Sequence, residues 1–395
     1  MNFIALTKIY DIFKEKIVFF LLAFAFVFKI QWATPIILLL LFISFFDKSK
    51  NADSNVVKKL CFVFGSIIFL YILSYFFQFD SSPRLIIRSL GFVFIPLLFL
   101  LKKFSLCQIK NFAYSFLVLQ LMHILYIDFI VIQYYLFSTV RSFELFNSLV
   151  ENKFILERPY FALNCLLSIV CIKFVLDNSN IKKGLLFCFL AIIVLTLFII
   201  AARLAMGISV LLSFLFFLKE KKIVYFIMLS SILAITIISN RYIIQRIAIE
   251  KGEPRIAIWQ CAKSIVDEKG FNYFIGTFSS EVVDNKLIAC YNSKEVSNGP
   301  YWWIGKNNYK YNTHNQFLWF FTSYGLVGTI LFLLIFVIHS IHFYKYKNDY
   351  SLFFVLIFLF QCMFENVLSR QLGIYVFIWF CFLFINSSKT IQKNE

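Results

Sequence analysis

The chain has 395 residues, 61% of them hydrophobic and only 15% charged, with 54 Phe and a formal net charge of +17. So few charges cannot cover that much apolar surface in a soluble domain of this length. A nucleic-acid binder is excluded as well, because no basic stripe is interleaved with stacking aromatics on a polar domain.

In chain order, apolar runs fall at about 17–30, 33–46, 60–77, 85–101, 112–138, 160–177, 184–201, 204–218, 223–240, 314–340, 351–368 and 371–386. The alternation of a membrane β-barrel is missing, so the backbone must satisfy itself within helices. The pattern predicts an all-α, polytopic membrane protein of about twelve transmembrane helices. Nine of these fall in residues 1–240, a long outer loop occupies 241–313, and three helices with a short tail occupy 314–395. The basic N-terminal lead lacks a small-residue cleavage site and reads as the approach to the first helix. The first two runs predict a tight hairpin around Trp32–Pro35, an interfacial aromatic followed by a turn former.

Charge sets the expected orientation. With both termini inside, the inner segments hold 20 of the 38 basic residues, which follows the positive-inside rule. All 20 are Lys, whereas all nine Arg (84, 88, 141, 158, 203, 241, 246, 255 and 370) fall outside or at outer helix ends. Arg offers a planar fork for phosphate or carboxylate where Lys is a solvated point charge. An Arg-rich outer face therefore points to an anionic ligand there; a Lys-biased coding preference with structural ion pairs is the plainer account.

Within the long loop, Glu253-Pro254-Arg255 marks a helix start, with Pro in the first turn. Ile258, Trp259, Ala262, Ile265 and Val266 then share an apolar face, and Gly270 is placed to end the helix. This surface helix is expected along the membrane or against the bundle. Cys261 and Cys290 form one disulfide or remain two thiols; spacing and compartment leave both open. Tyr291, Tyr301, Trp302, Trp303, Tyr309 and Tyr311 among several Asn suit sugar rings, and equally an interfacial aromatic belt.

The stretch NTHNQFLWFFTSYGLVG (312–328) is where the polar loop meets an apolar run. His314 is expected in the opening turn of a membrane helix, capped by Asn312 or Thr313. The remaining histidines, His123, His339 and His342, map to mid-membrane or inner positions. A helix N-terminus favours the neutral ring, which is then available as a base; a structural cap is the bland alternative. Arg203 sits in an outer hairpin so tight that an unpaired cation would be costly, and Arg255 opens the loop helix, where backbone N–H groups also favour anions. Glu365 and Arg370 frame the last outer turn as a possible pair. Asp128 is intramembrane without an evident partner. Gly325 and Gly328 lie three apart and predict a close-packing helix face. No metal spacing, Walker loop or G-x-S-x-G occurs, so neither a metal nor another cofactor is implied.

These residues resemble the O-antigen ligase and O-antigen polymerase superfamily of bacterial inner-membrane glycosyltransferases. HNQFLWFFTSYGLVG (314–328) fits the ligase pattern of His-Asn, nine residues, then Gly-x-x-Gly at 325 and 328. AAR (201–203), PRIAIWQCAKSI (254–265) and SRQLGIYVFIWF (369–380) are similar to the family's outer Arg turn, loop helix and last outer turn. The likeness covers mainly residues 190–386; the first half matches only in hydropathy. It implies a metal-independent transfer of a glycan from undecaprenyl diphosphate to an acceptor hydroxyl, on lipid A–core for a ligase or another lipid-linked repeat for a polymerase. The implied base is His314, and Arg203 and Arg255 hold the diphosphate; beside these, Asn315, Arg370 and Glu365 are candidate supporting residues. The implied site faces the periplasm, in the inner membrane. The alternative is a transporter or flippase of lipid-linked sugars, although no paired broken helices or internal repeat favour it.

Overall fold

The computed structural model describes residues 16–46, 55–77, 83–137, 155–178, 183–200, 202–219, 254–293 and 313–391, with isolated positions between them. Most of the predicted run at 223–240 lies outside these residues. So do Arg141, Arg241, Arg246, Asn312 and the aromatic positions from Tyr301 to Tyr311. Among the described residues every regular element is a helix.

The helices are α1 Val18–Val27, α2 Ala33–Phe46, α3 Asn55–Phe76, α4 Arg84–Arg88, α5 Gly91–Leu101, α6 Leu106–Phe137 and α7 Arg158–Asn178. They continue with α8 Lys183–Ile199, α9 Arg203–Lys219, α10 Pro254–Val266, α11 Ser280–Ser293, α12 Gln316–Tyr346, α13 Asp349–Phe364 and α14 Gln371–Ile391. Each predicted apolar run outside 223–240 thus carries a helix. Five segments, Asn55–Phe76, Arg84–Leu101, Leu106–Tyr134, Arg158–Asn178 and Gln316–Tyr346, are long and apolar enough to cross a membrane. Others, such as α1 and α8, are shorter than the roughly 20 residues of a straight span.

The chain divides into two compact units that cut across its linear order. One comprises Met1–Ser49, Lys103–Ile249 and Asn386–Glu395. Its centre is α7, buried continuously from Phe161 to Val175, with apolar residues on every face and only Asn164, Ser168 and Lys173 among them polar. The α1–α2 hairpin turns through Ile30–Trp32, as expected, with Trp32 exposed. Pro35 is inside the first turn of α2 rather than in the link, where its missing N–H costs nothing.

Several polar groups in this unit are matched individually. Asn164 Nδ2 donates to the Phe26 carbonyl (3.0 Å) at the end of α1, where carbonyls lose their helical partners. Lys173 pairs with Asp177 one turn on, at 2.5 Å. Asp128 does have a partner: Thr196 Oγ1 lies 3.2 and 3.0 Å from its two carboxylate oxygens. His123 is buried, its ring centroid 5.4 Å from Phe28 and 4.7 Å from Phe161.

The other unit comprises Lys50–Lys102 and Glu250–Ile385. Its core is aromatic. Phe377 of α14 lies 6.1, 6.2, 5.3 and 4.9 Å, ring to ring, from Phe332, Phe336, Phe354 and Phe358. Offset and edge contacts of this kind add to the area each ring buries, and they give the many Phe a packing role.

Candidate functional site

The loop helices α10 and α11 form a small body on α12. Ile258, Cys261, Ala262 and Ile265 face Val283, Leu287 and Tyr291, and Leu318 of α12 packs against them. Cys261 and Cys290 are disulfide-bonded, Cα atoms 5.7 Å apart. Closing a loop of about 30 residues contributes roughly 3–4 kcal/mol in the chain-entropy picture. Lys286 of α11 pairs with Glu268, just beyond the end of α10. α10 ends at Val266, before Gly270, which takes φ +97° in the following turn.

A buried carboxylate anchors this body. Asp80 Oδ1 accepts from Ser279 Oγ (2.6 Å) and from the Glu281 N–H (3.0 Å), and Oδ2 accepts from Ser74 Oγ (2.5 Å). Asp80 thus caps α11 from a distant segment, a favourable place for negative charge. Read from the sequence, Asp80 is only a lone outer carboxylate and α11 is not seen at all. Its spacing of Val283, Leu287 and Tyr291, four apart, is the signal that marks it.

His314 stands before α12, not in its first turn. The cap is Asn315, whose Oδ1 accepts from the Leu318 N–H (3.0 Å), so the expected cap at Asn312 or Thr313 is corrected by two or three residues. A polar side chain two or three residues ahead of the cap position cannot reach the N3 amide as directly as Asn315 does. His314 itself adopts φ +44°, left-handed backbone that costs an L-residue about 1–2 kcal/mol. Its neighbours hold it there. The Thr313 carbonyl accepts from Trp259 Nε1 (3.1 Å), and the Asn315 N–H donates to Asn366 Oδ1 (2.8 Å). Thr313 Oγ1 is directed at the Asn315 carbonyl (2.7 Å), with Asn366 Oδ1 3.1 Å away. One residue on, Gln316 Oε1 accepts from the Leu368 N–H (2.8 Å).

The result is a strap, 313–316, pinned to the turn between α13 and α14. On it, His314 Nδ1 lies 3.2 Å from Glu365 Oε2, both side chains half-buried. The carboxylate favours the ring with its proton on Nδ1 and its lone pair on Nε2. Glu365 therefore reaches across to the histidine, a role that its position in sequence near Arg370 does not reveal. Asn366 and Gln316 are likewise missed by motif reading; each is an amide bordering an apolar run, with nothing local to mark its role. Their oxygens are fixed by backbone donors. Their buried Nδ2 and Nε2 groups have no hydrogen-bond partner among the described residues.

The helix below the strap is broken. Gly325 has φ +60° and ψ −153°, so Gly325 and Gly328 do not form one continuous helix face as expected. The turn 272–278 fills the break. Leu326 N–H donates to the Tyr273 carbonyl (2.9 Å), Val327 N–H to Phe274 (3.1 Å), and Thr277 N–H to Thr322 (3.0 Å). A Cβ on Gly276 would meet Gly325 N at 2.6 Å, and one on Gly325 would collide with the Phe274 carbonyl. Two backbones approach here as only glycines permit.

The three candidate arginines each stand at or beside a helix start. Arg203 is the first residue of α9, in the first unit, and Arg370 directly precedes α14. Arg255 is the second residue of α10, with its side chain outside the described atoms. Among the described residues no group of three or more His, Cys, Asp or Glu is placed to hold a metal ion. No protein-family model matches the chain, and no curated protein matches it.

Proposed function

We propose that the chain is a metal-independent glycosyltransferase of the O-antigen ligase or polymerase kind, moving an undecaprenyl-diphosphate-linked glycan to an acceptor hydroxyl. The reading includes the full topology: about twelve membrane helices, both termini cytoplasmic, the loop and site on the periplasmic face of a bacterial inner membrane. The observation that carries it is the His314–Glu365 pair at 3.2 Å on a strap whose backbone is fixed by tertiary hydrogen bonds. A ring held by a carboxylate at Nδ1 presents Nε2 as the atom that takes the acceptor proton. The acceptor oxygen then attacks the anomeric carbon as its bond to the diphosphate breaks. Arg203 and Arg255 are assigned to the leaving diphosphate, with Arg370 and Asn315 supporting. A charge-assisted contact of that type is worth roughly 1.5–3 kcal/mol.

The test is transfer by purified protein from lipid-linked donor to acceptor in detergent, together with surface glycan in cells. His314→Ala is expected to lower transfer about 10²–10⁴-fold, the usual worth of a general base, while the protein still inserts and folds. Wild-type surface glycan from that variant overturns the reading. Turnover without a sealed membrane also separates transfer from transport.

A further inference from the structure

The turn that splints Gly325 exposes three large apolar side chains: Tyr273 at 55%, Phe274 at 69% and Ile275 at 43%. Buried polar or catalytic work does not explain them, and nothing in the chemistry at His314 requires them. Their carbonyls at 273 and 274 bond to Leu326 and Val327, so they lie at the level where α12 resumes. Below that level α12 carries an exposed apolar stripe of Leu326, Ile330, Leu333, Leu334, Val337 and Ile341. The spacing keeps one helix face turned outward. Above it, between Gln316 and Gly325, α12 shows no large exposed apolar residue. There Leu318 is covered by the loop helices instead.

Length agrees with this division. From Leu326 to Tyr346 the helix rises about 31 Å, close to the roughly 30 Å of bilayer hydrocarbon. The backbone also agrees, because a helix break at membrane depth is tolerated only where protein satisfies its freed groups. The turn supplies those bonds. Immediately before it lie Glu268 and Lys269, both exposed, so a charged segment meets an apolar tip within a few residues.

We propose that the turn Tyr273–Ile275 is a lipid-contacting wedge seated in the edge of the bilayer hydrocarbon, continuous with the exposed stripe of α12. Gly325 then marks the hydrocarbon boundary, and the His314 strap stands about 15 Å beyond it, ten residues of helix away. The partner is the acyl-chain region of the membrane. The wedge holds the disulfide-bonded loop helices at a fixed height, and through Trp259 it sets the height of the strap.

The experiment is nitroxide accessibility in phosphatidylethanolamine–phosphatidylglycerol liposomes. Cys61, Cys107 and Cys188, the thiols that are not buried, are first replaced by Ser. Single labels are then placed by Phe274→Cys and Ile275→Cys, with Tyr273→Cys as a substitute if either fails to fold. Lys263→Cys on α10 is the water reference, its side chain 75% exposed, and Ile330→Cys is the lipid reference. Collision with oxygen over a water-soluble nickel chelate is expected to be several-fold higher at 274 and 275 than at 263, and lower than at 330. A ratio matching Lys263 places the turn in water and overturns the proposal. Low collision with both agents means protein covers the turn, which also overturns it. A depth equal to or beyond Ile330 overturns the boundary at Gly325.

Discussion

Two ionisable side chains, Asp128 and His314, are partly buried, and the chain treats them differently. Asp128 lies on the unbroken helix α6 and meets one hydroxyl, Thr196 Oγ1, at 3.0 Å from its nearer oxygen. His314 lies outside any helix, on left-handed backbone, with Trp259 and Asn366 bonded to the residues on either side of it. In the first case the side chain is accommodated, and a different one could be accommodated on the same helix. In the second the backbone is held in an unfavourable conformation by partners from two other segments. Strain that persists because its surroundings over-determine it marks a position whose geometry matters. By that criterion the strap, not the carboxylate on α6, is where chemistry is to be sought.

The comparison breaks most visibly at the glycines. Gly325→Val places a Cβ against the Phe274 carbonyl at a φ of +60°, so both the break in α12 and its splint are lost. The expected cost is at least about 3 kcal/mol, combining a glycine-only conformation with a backbone clash. Gly207 of α9 has no atom within 4 Å of the same added carbon. Gly207→Ala should therefore stabilise by about 0.5–1 kcal/mol through helix propensity. Thermal unfolding of the two variants in detergent checks this, and equal melting points would mean that the break is not under constraint.

Glu365→Gln probes the strap without removing the ring. An amide near Nδ1 can donate as well as accept, so it no longer selects the tautomer with its lone pair on Nε2. Transfer is expected to fall roughly 10²-fold with little change in the melting point. A variant with full turnover would show that Glu365 only fills space. Asn366→Leu acts one level back. It leaves the Asn315 N–H without its acceptor in a half-buried setting, at about 1 kcal/mol, and lets the strap drift. Its loss should appear in the unfolding midpoint as well as in the rate, which separates it from Glu365→Gln.

How much of this was legible in the sequence follows from what each feature depends on. Apolar period and run length are local, so the helices on the long apolar runs outside 223–240 and the apolar face of α10 could be read directly, whereas the short amphipathic α11 was missed. His314 was legible because a polar residue opening a long apolar run is conspicuous. Its partner was not, because the contact joins positions 51 apart in sequence. The same holds for Asp128 and Thr196, 68 apart, and for Asp80 and Ser279, 199 apart. The break at Gly325 was hidden for another reason. A glycine in a helical pattern reads equally as a packing face or as a kink, and only the turn 272–278 decides between them.

The smallest expected effect sharpens the comparison from the other side. Asp128→Asn keeps the shape, and an amide can still bond to the Thr196 hydroxyl, as donor or acceptor. Neutralising a carboxylate surrounded by apolar helices removes a desolvation cost while losing a charge-assisted bond, and the two largely offset. The melting point should move by less than about 1 kcal/mol in equivalent stability, and glycan transfer should stay within about twofold of wild type. A tenfold loss of transfer at unchanged stability would place Asp128 in the working machinery. The distinction between an accommodated carboxylate and a positioned histidine would then fail.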